Sequence, residues 1–267
     1  MADILDVIVA YKRQEVENMK ELCSPRQIHE QVEQQYDCMK PRVSMCHALL
    51  ENRWGIIAEF KRKSPSKGWI AKDADAEKVP MDYENSGAAA LSILTDGHFF
   101  GGSDHDILRA RRSGVALPVL YKNFIVDEYQ LFQALLCGAS AVLLIAAVLP
   151  LSEVRRLTRM AHELGLEVLL ELHAEQELDY VAADPDMCGV NNRNLGSFVT
   201  DVSRSFDMAA HLPSDICKVS ESGISDANTL KALRLAGFNG FLIGEHFMRT
   251  GQPASALGQF IRQLSTL

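Results

Sequence analysis

From residue 56 onward, short and almost wholly apolar runs alternate with longer amphipathic stretches. The runs read IIAEFK, AAALSIL, LPVLYK, SAVLLI, EVLLEL, CGVNN, CKVSES and GFLIG, eight in all. Continuous apolar runs of this length predict strands buried on both faces, as in a parallel sheet. The stretches between them carry helix ends. Asp127 with Gln130 forms a capping-box pattern ahead of EYQLFQALLC, and Gly138 follows as a stop. SEVRRLTRMAHELG and SDANTLKALRLAG repeat the pattern of a serine cap and a glycine stop. Upstream, Ile4, Leu5, Ile8, Val9, Val16 and Met19 recur at close to helical spacing, which predicts a helix laid on a larger body.

Strand and helix alternating at this spacing require parallel strands joined by crossover helices. Eight such units fit a closed (β/α)8 TIM barrel of the α/β class, and 267 residues suffice for one such domain, with residues 1–50 as an N-terminal helical extension. An open doubly wound sheet is the alternative. It would ordinarily bring a G-x-G-x-x-G or G-x-x-x-x-G-K-[ST] loop, and neither occurs.

Composition narrows the function classes. An apolar fraction of 47% with 23% charged residues is ordinary for a globular protein, so neither disorder nor a fibrous repeat is indicated. A net charge of -8 argues against general nucleic-acid or anionic-membrane partners, while leaving room for a small phosphorylated ligand held by a few local cations. The six cysteines show no C-x-x-C pair, which suggests reduced thiols in a cytoplasmic protein. The N-terminus lacks a basic start followed by a long apolar core, and no apolar run reaches the roughly 18 residues of a membrane span.

The chemistry collects at strand ends. Side chains alternate faces along a strand, so Ile57, Glu59 and Lys61 share one face, and two charges buried there need a partner or a task. In a strand-helix barrel the active site lies at the C-terminal ends of the strands. There the third run offers Lys122 and Phe124, the fifth Glu171, the sixth Asn191 and Arg193, and the seventh Glu221. Taken singly, Glu171 reads equally as a solvated strand end, Arg193 as a loop ion-pair partner and Asn191 as a turn former. Agreement across five strands points to one pocket. Gly223 and Gly244, after the seventh and eighth runs, sit where such barrels cradle phosphate, although tight turns alone would explain each. Phe100 could belong to the core or wall an aromatic substrate beside Phe124, Leu143 and Leu195. No H-E-x-x-H occurs, and His98, His105, His173 and His246 lack ligand spacing, so no metal site is expected.

In combination, IIAEFKRKSPSKG, LSILTDGHFFGGS, PVLYKNFIVDEYQ, NNRNL, VSESGIS and FLIGEHFM resemble the indole-3-glycerol-phosphate synthase family, in the family's order and over nearly the whole chain. The resemblance implies cofactor-free ring closure of 1-(2-carboxyphenylamino)-1-deoxyribulose 5-phosphate, with loss of carbon dioxide and water. By motif position it places catalytic groups on Glu59, Lys61, Lys122, Glu171, Asn191 and Glu221. Substrate contacts fall on Ser64, Phe100, Phe124, Leu143, Arg193, Leu195, Ser222, Gly223, Leu242 and Gly244.

On that basis Lys122, expected in a positive neighbourhood, is the first general acid. Glu171 shares the later acid and base steps with Glu59 and Lys61, in a division left open. Lys61 and the glycine loops would hold phosphate, Arg193 would face the other anionic end, and Glu221 and Asn191 would orient these cations. Two positions depart from the family pattern: Asn123 stands where aspartate is usual, and Tyr121 precedes the lysine. Alternation turns Asn123 away from the pocket. A sugar-phosphate isomerase and a barrel that binds without catalysis are the competing readings. A monomer or weak homodimer is expected.

Overall fold

The computed structural model describes residues 4–36, 43–194, 196 and 198–266. All eight apolar runs are strands: β1 (Ile56–Phe60), β2 (Ala90–Leu94), β3 (Val119–Lys122), β4 (Ala141–Ile145), β5 (Glu167–Leu172), β6 (Met187–Asn191), β7 (Cys217–Glu221) and β8 (Gly240–Ile243). Each pairs in parallel with its sequence neighbour, and β1 also pairs with β8, Ile57 lying opposite both Ala90 and Leu242. The sheet is therefore closed, which excludes the open-sheet alternative. Among the described residues no helix is long and apolar enough to cross a membrane.

Alternation within the closed sheet builds two cores. Ala58, Phe60, Tyr121, Leu144 and Leu170 face outward and pack beneath the crossover helices. Ile57, Leu120, Leu143, Leu169, Met187, Val219 and Leu242 face inward and fill the barrel. The inner rows continue upward to Glu59, Lys122, Glu171, Asn191 and Glu221, so the apolar filling ends in a charged floor. From below, Met45 and Leu49 of the helix Met45–Glu51 plug the barrel. Glu167, the first residue of β5, holds that plug by accepting the Met45 and Cys46 amides at 2.6 and 3.1 Å.

Above the barrel lies α1 (Ile4–Leu22), the helix predicted from its spacing. Buried Lys12 pairs with Asp96 at 2.7 Å, and Lys20 pairs with Asp127 at 2.7 Å, so the helix is fastened to the loops after β2 and β3. Two helix ends differ from expectation. The helix Leu151–Glu163 starts behind Pro150, whose fixed φ suits that entry, and Ser152 is already inside it. The helix Ala227–Leu235 is capped by Asp226, whose carboxylate accepts the Thr229 amide, and not by Ser225. The Asp127–Gln130 exchange forms in part: Gln130 accepts the Val126 and Asp127 amides, while the Asp127 carboxylate accepts the Tyr129 amide and not that of Gln130. A hairpin pairing Lys63–Ser64 with Gly68–Trp69 follows β1; runs of two residues carry no periodicity to read.

Candidate active site

The strand ends open into a cavity of about 350 Å³. Fifteen of the sixteen residues picked out in the sequence line it: Glu59, Lys61, Ser64, Phe100, Lys122, Phe124, Leu143, Glu171, Asn191, Arg193, Glu221, Ser222, Gly223, Leu242 and Gly244. The sixteenth, Leu195, lies outside the described residues.

At the floor Lys122 Nζ donates to Glu171 Oε2 at 2.9 Å and to Glu221 Oε2 at 2.6 Å. Asn191 Nδ2 donates to Glu171 Oε1 at 3.1 Å, and His173 Nε2 stands 3.1 Å from the same oxygen. Lys61 pairs with Glu59 at 2.6 Å at the end of β1. The expected positive neighbourhood of Lys122 is thus overturned. Two carboxylates touch the ammonium because three inner rows, β3, β5 and β7, end at the same height. Burial works against the charged amine, but Glu171, Glu221 and Glu59 outweigh it and hold the Lys122 pKa far above its ordinary value.

The two carboxylates separate in character. Burial alone would raise both. At Glu171 the Lys122 charge, His173 and Asn191 outweigh burial and drive the pKa well below the carboxylate range. At Glu221 burial wins over Lys122, the Glu171 charge adds to it, and the pKa is pushed up to about 7. One carboxylate is firmly ionised while the other can carry a proton near neutrality, which is a division suited to acid-base work. Asn191 orients a carboxylate here rather than the cation expected of it. Gly189 makes room for Glu221: a methyl group there would meet its carboxylate.

The walls differ by side. Phe100 and Phe124 face each other with ring centroids 6.0 Å apart, and Leu143 and Leu242 continue the apolar surface. Asp96 fixes Phe100 by accepting its amide at 3.2 Å and that of Phe99 at 2.7 Å. On the other side Ser222 and Gly223 both hold positive φ, 69° and 81°, in a tight turn at the cavity wall. Gly244 packs directly on Glu59. Ser64 is 2% exposed and its hydroxyl has no partner among the described residues. Arg193 leans on Glu245, Nη2 to Oε2 at 3.2 Å.

Asn123 does not simply point away. The strand ends at Lys122, so alternation stops there, and the Asn123 amide donates to Thr95 Oγ1 at 2.8 Å while the residue also borders the cavity. Tyr121 faces outward and donates its hydroxyl to Asp104 at 2.8 Å. Sequence reasoning missed Ile4, Leu5 and Ile8 of α1 as cavity residues, because an apolar helix face carries no mark of what it covers. It also passed over His173, having tested histidines only for metal spacing.

The sequence model of the indole-3-glycerol phosphate synthase family matches residues 5–264. An indole-3-glycerol phosphate synthase of Bacteroides thetaiotaomicron is 52% identical over 264 residues, which cover 99% of this chain and 100% of that protein. One from Bordetella pertussis is 37% identical, covering 98% and 100%. Among solved structures, 3-hexulose-6-phosphate synthase from Salmonella typhimurium superposes with a TM-score of 0.63 at 15% identity, over 79% of this chain and 99% of that one. A mutant tryptophan synthase α-subunit from Pyrococcus furiosus gives 0.61 at 12% identity, over 80% and 98%. At such identities the structural likeness is one of fold alone.

Proposed function

The chain belongs to the indole-3-glycerol phosphate synthase family, and from that membership we propose how its residues divide the family's reaction. The enzyme is a carboxy-lyase of tryptophan biosynthesis. It closes 1-(2-carboxyphenylamino)-1-deoxy-D-ribulose 5-phosphate to indole-3-glycerol phosphate with loss of carbon dioxide and water.

Lys122 is the first general acid. As the aromatic carbon attacks the ketone, the oxygen becomes an alkoxide more basic than any amine, so even an ammonium held by two carboxylates gives up its proton. The observation that carries this assignment is the pair of contacts, 2.9 and 2.6 Å, placing Lys122 between Glu171 and Glu221 on the cavity floor. Glu171, held ionised, suits the base that takes a proton as the new ring becomes aromatic. Glu221, with a pKa pushed up to about 7, suits a proton reserve beside Lys122. Glu59 and Lys61 share the acid step for the leaving hydroxyl.

Substrate placement follows from the walls. The Ser222–Gly223 amides, Gly244, Ser64 and Lys61 take the phosphate, and Phe100, Phe124, Leu143 and Leu242 take the aromatic ring. Arg193 takes the carboxylate once it leaves Glu245. Holding both anionic ends folds the linker between them into an attack geometry. The free thiols of Cys23, Cys46, Cys137, Cys188 and Cys217 fit a reducing, cytoplasmic setting; a monomer or weak homodimer completes the reading. Incubating purified enzyme with the substrate and following indole absorbance tests the reading. No indole product from wild-type enzyme would refute it.

A further inference from the structure

The reaction has a proton requirement that its residues must meet. The substrate enters as a carboxylate and loses neutral carbon dioxide, whose bonding electron pair stays with the ring. One proton goes to the ketone oxygen and a second lets the hydroxyl leave as water. A third proton is released from the carbon beside nitrogen as the ring becomes aromatic. Two protons are taken up and one given back, so each turnover draws a net proton from solvent; Lys122 spends its own at ring closure, before Glu171 receives the one released at aromatisation, and is recharged from solvent between the two steps. While bound, the substrate fills the cavity through which Lys122 would otherwise meet water.

We propose that His173 is the route by which that proton arrives, passing it from a second, solvent-side cavity through Glu171 to Lys122. This proposal rests on the functional reading above. His173 follows β5 by one residue, and its side chain is 11% exposed. Nε2 lies 3.1 Å from Glu171 Oε1, while the other oxygen of that carboxylate is 2.9 Å from Lys122 Nζ. One carboxylate therefore stands in contact with both the imidazole and the ammonium, hydrogen-bonded to the ammonium and at ion-pair distance from the imidazole. Both ring nitrogens are buried and neither has an aligned hydrogen-bond partner among the described residues, so the ring must turn to take a proton from the solvent side.

His173 also lines a separate cavity of about 260 Å³, whose lining shares no residue with the first. Glu175, Asp201 and Asp207 border it and make it attractive to protons, and Arg204 borders it while donating to the Asn191 carbonyl at 3.1 Å. The remaining charges facing the imidazole are Glu171, Glu177 and Glu221; Glu177 also accepts the His173 backbone amide at 2.6 Å. Burial works against the charged ring, yet the carboxylates outweigh it and raise its pKa, which favours the imidazolium.

His173 acts through Glu171 and is a positioning and proton-delivery residue. The test is steady-state turnover of wild type, His173→Gln and His173→Ala, with and without added imidazole. We expect kcat of both variants to fall roughly tenfold or more, with KM changed less than about threefold. We expect millimolar imidazole to restore kcat in His173→Ala, in proportion to its protonated fraction, and to leave wild type unaffected. His173→Gln fills the ring's space and covers the case in which the alanine variant does not fold. A kcat within twofold of wild type in the glutamine variant overturns the route. So does a folded alanine variant whose loss imidazole does not restore. Wild-type enzyme that makes no indole product would instead defeat the functional reading itself.

Discussion

Lys122→Met keeps the length of the side chain and removes its charge. In the wild type the ammonium lies 2.9 Å from Glu171 and 2.6 Å from Glu221. At an effective dielectric constant of about 20, each contact is an attraction of roughly 6 kcal/mol, offset by the several kcal/mol it costs to bury the amine. What remains after the substitution is two buried carboxylates, Glu171 still accepting from Asn191 and 3.1 Å from His173, and Glu221 without the donor that Lys122 supplied. Breaking a buried pair in this way costs about 3–5 kcal/mol. For 267 residues, with an unfolding entropy near 2.1 cal/mol/K per residue, that loss lowers Tm by roughly 5–9 °C. The deficit has a pH signature. At pH 5 both carboxylates of the variant take up protons and cease to repel, so the Tm difference from wild type should shrink to less than half its value at pH 8. Calorimetry at the two pH values measures this, and indole absorbance on the same samples should give a kcat lower by roughly two to four orders of magnitude. A variant that melts with wild type at pH 8, or turns over within tenfold of it, would refute the account of the floor.

Glu221 has its folded-state pKa raised from 4.5 to about 7, so the native state binds its proton more tightly. The group's contribution to stability is present below pH 4.5 and is lost as pH rises through 7, amounting to roughly 3 kcal/mol at most; Glu221→Gln should flatten that part of the stability-pH curve in urea titrations, and an unchanged slope would contradict the assignment. Gly244→Ala would place a methyl group 2.8 Å from the Glu59 Cβ and closer still to its carboxylate, so we expect kcat to drop by about tenfold or more and Tm to fall by roughly 2–5 °C, as overpacking costs about 1–3 kcal/mol; normal kinetics would show that Glu59 can move without consequence. Lys12→Met removes the partner of Asp96, which fixes Phe100; a several-fold rise in KM with a smaller change in kcat is expected, and an unaltered KM would separate α1 from substrate binding.

Much of the site was legible because strand periodicity and barrel geometry reinforce each other. Once the runs are strands, Ile57 and Glu59, or Leu169 and Glu171, must share a face, and closure leaves that face only the interior. Hence the eight strands, the N-terminal helix and the inward charges follow from local pattern. Helix caps were less certain, because Pro150 and Asp226 compete with neighbouring serines for one role and only the backbone path chooses between them.

What the chain alone determined is therefore which side chains point inward and at which end of each strand the charges stand, since both depend on period and order. Tertiary structure decided who meets whom. The sign of the field at Lys122 depends on three strands reaching the same height, and the separation of Glu171 from Glu221 depends on Asn191 and His173 arriving beside one of them and not the other. It also decided that an apolar face of α1 should border the cavity. These are distances between residues far apart in sequence, and electrostatic energy varies with distance and burial, neither of which local periodicity carries.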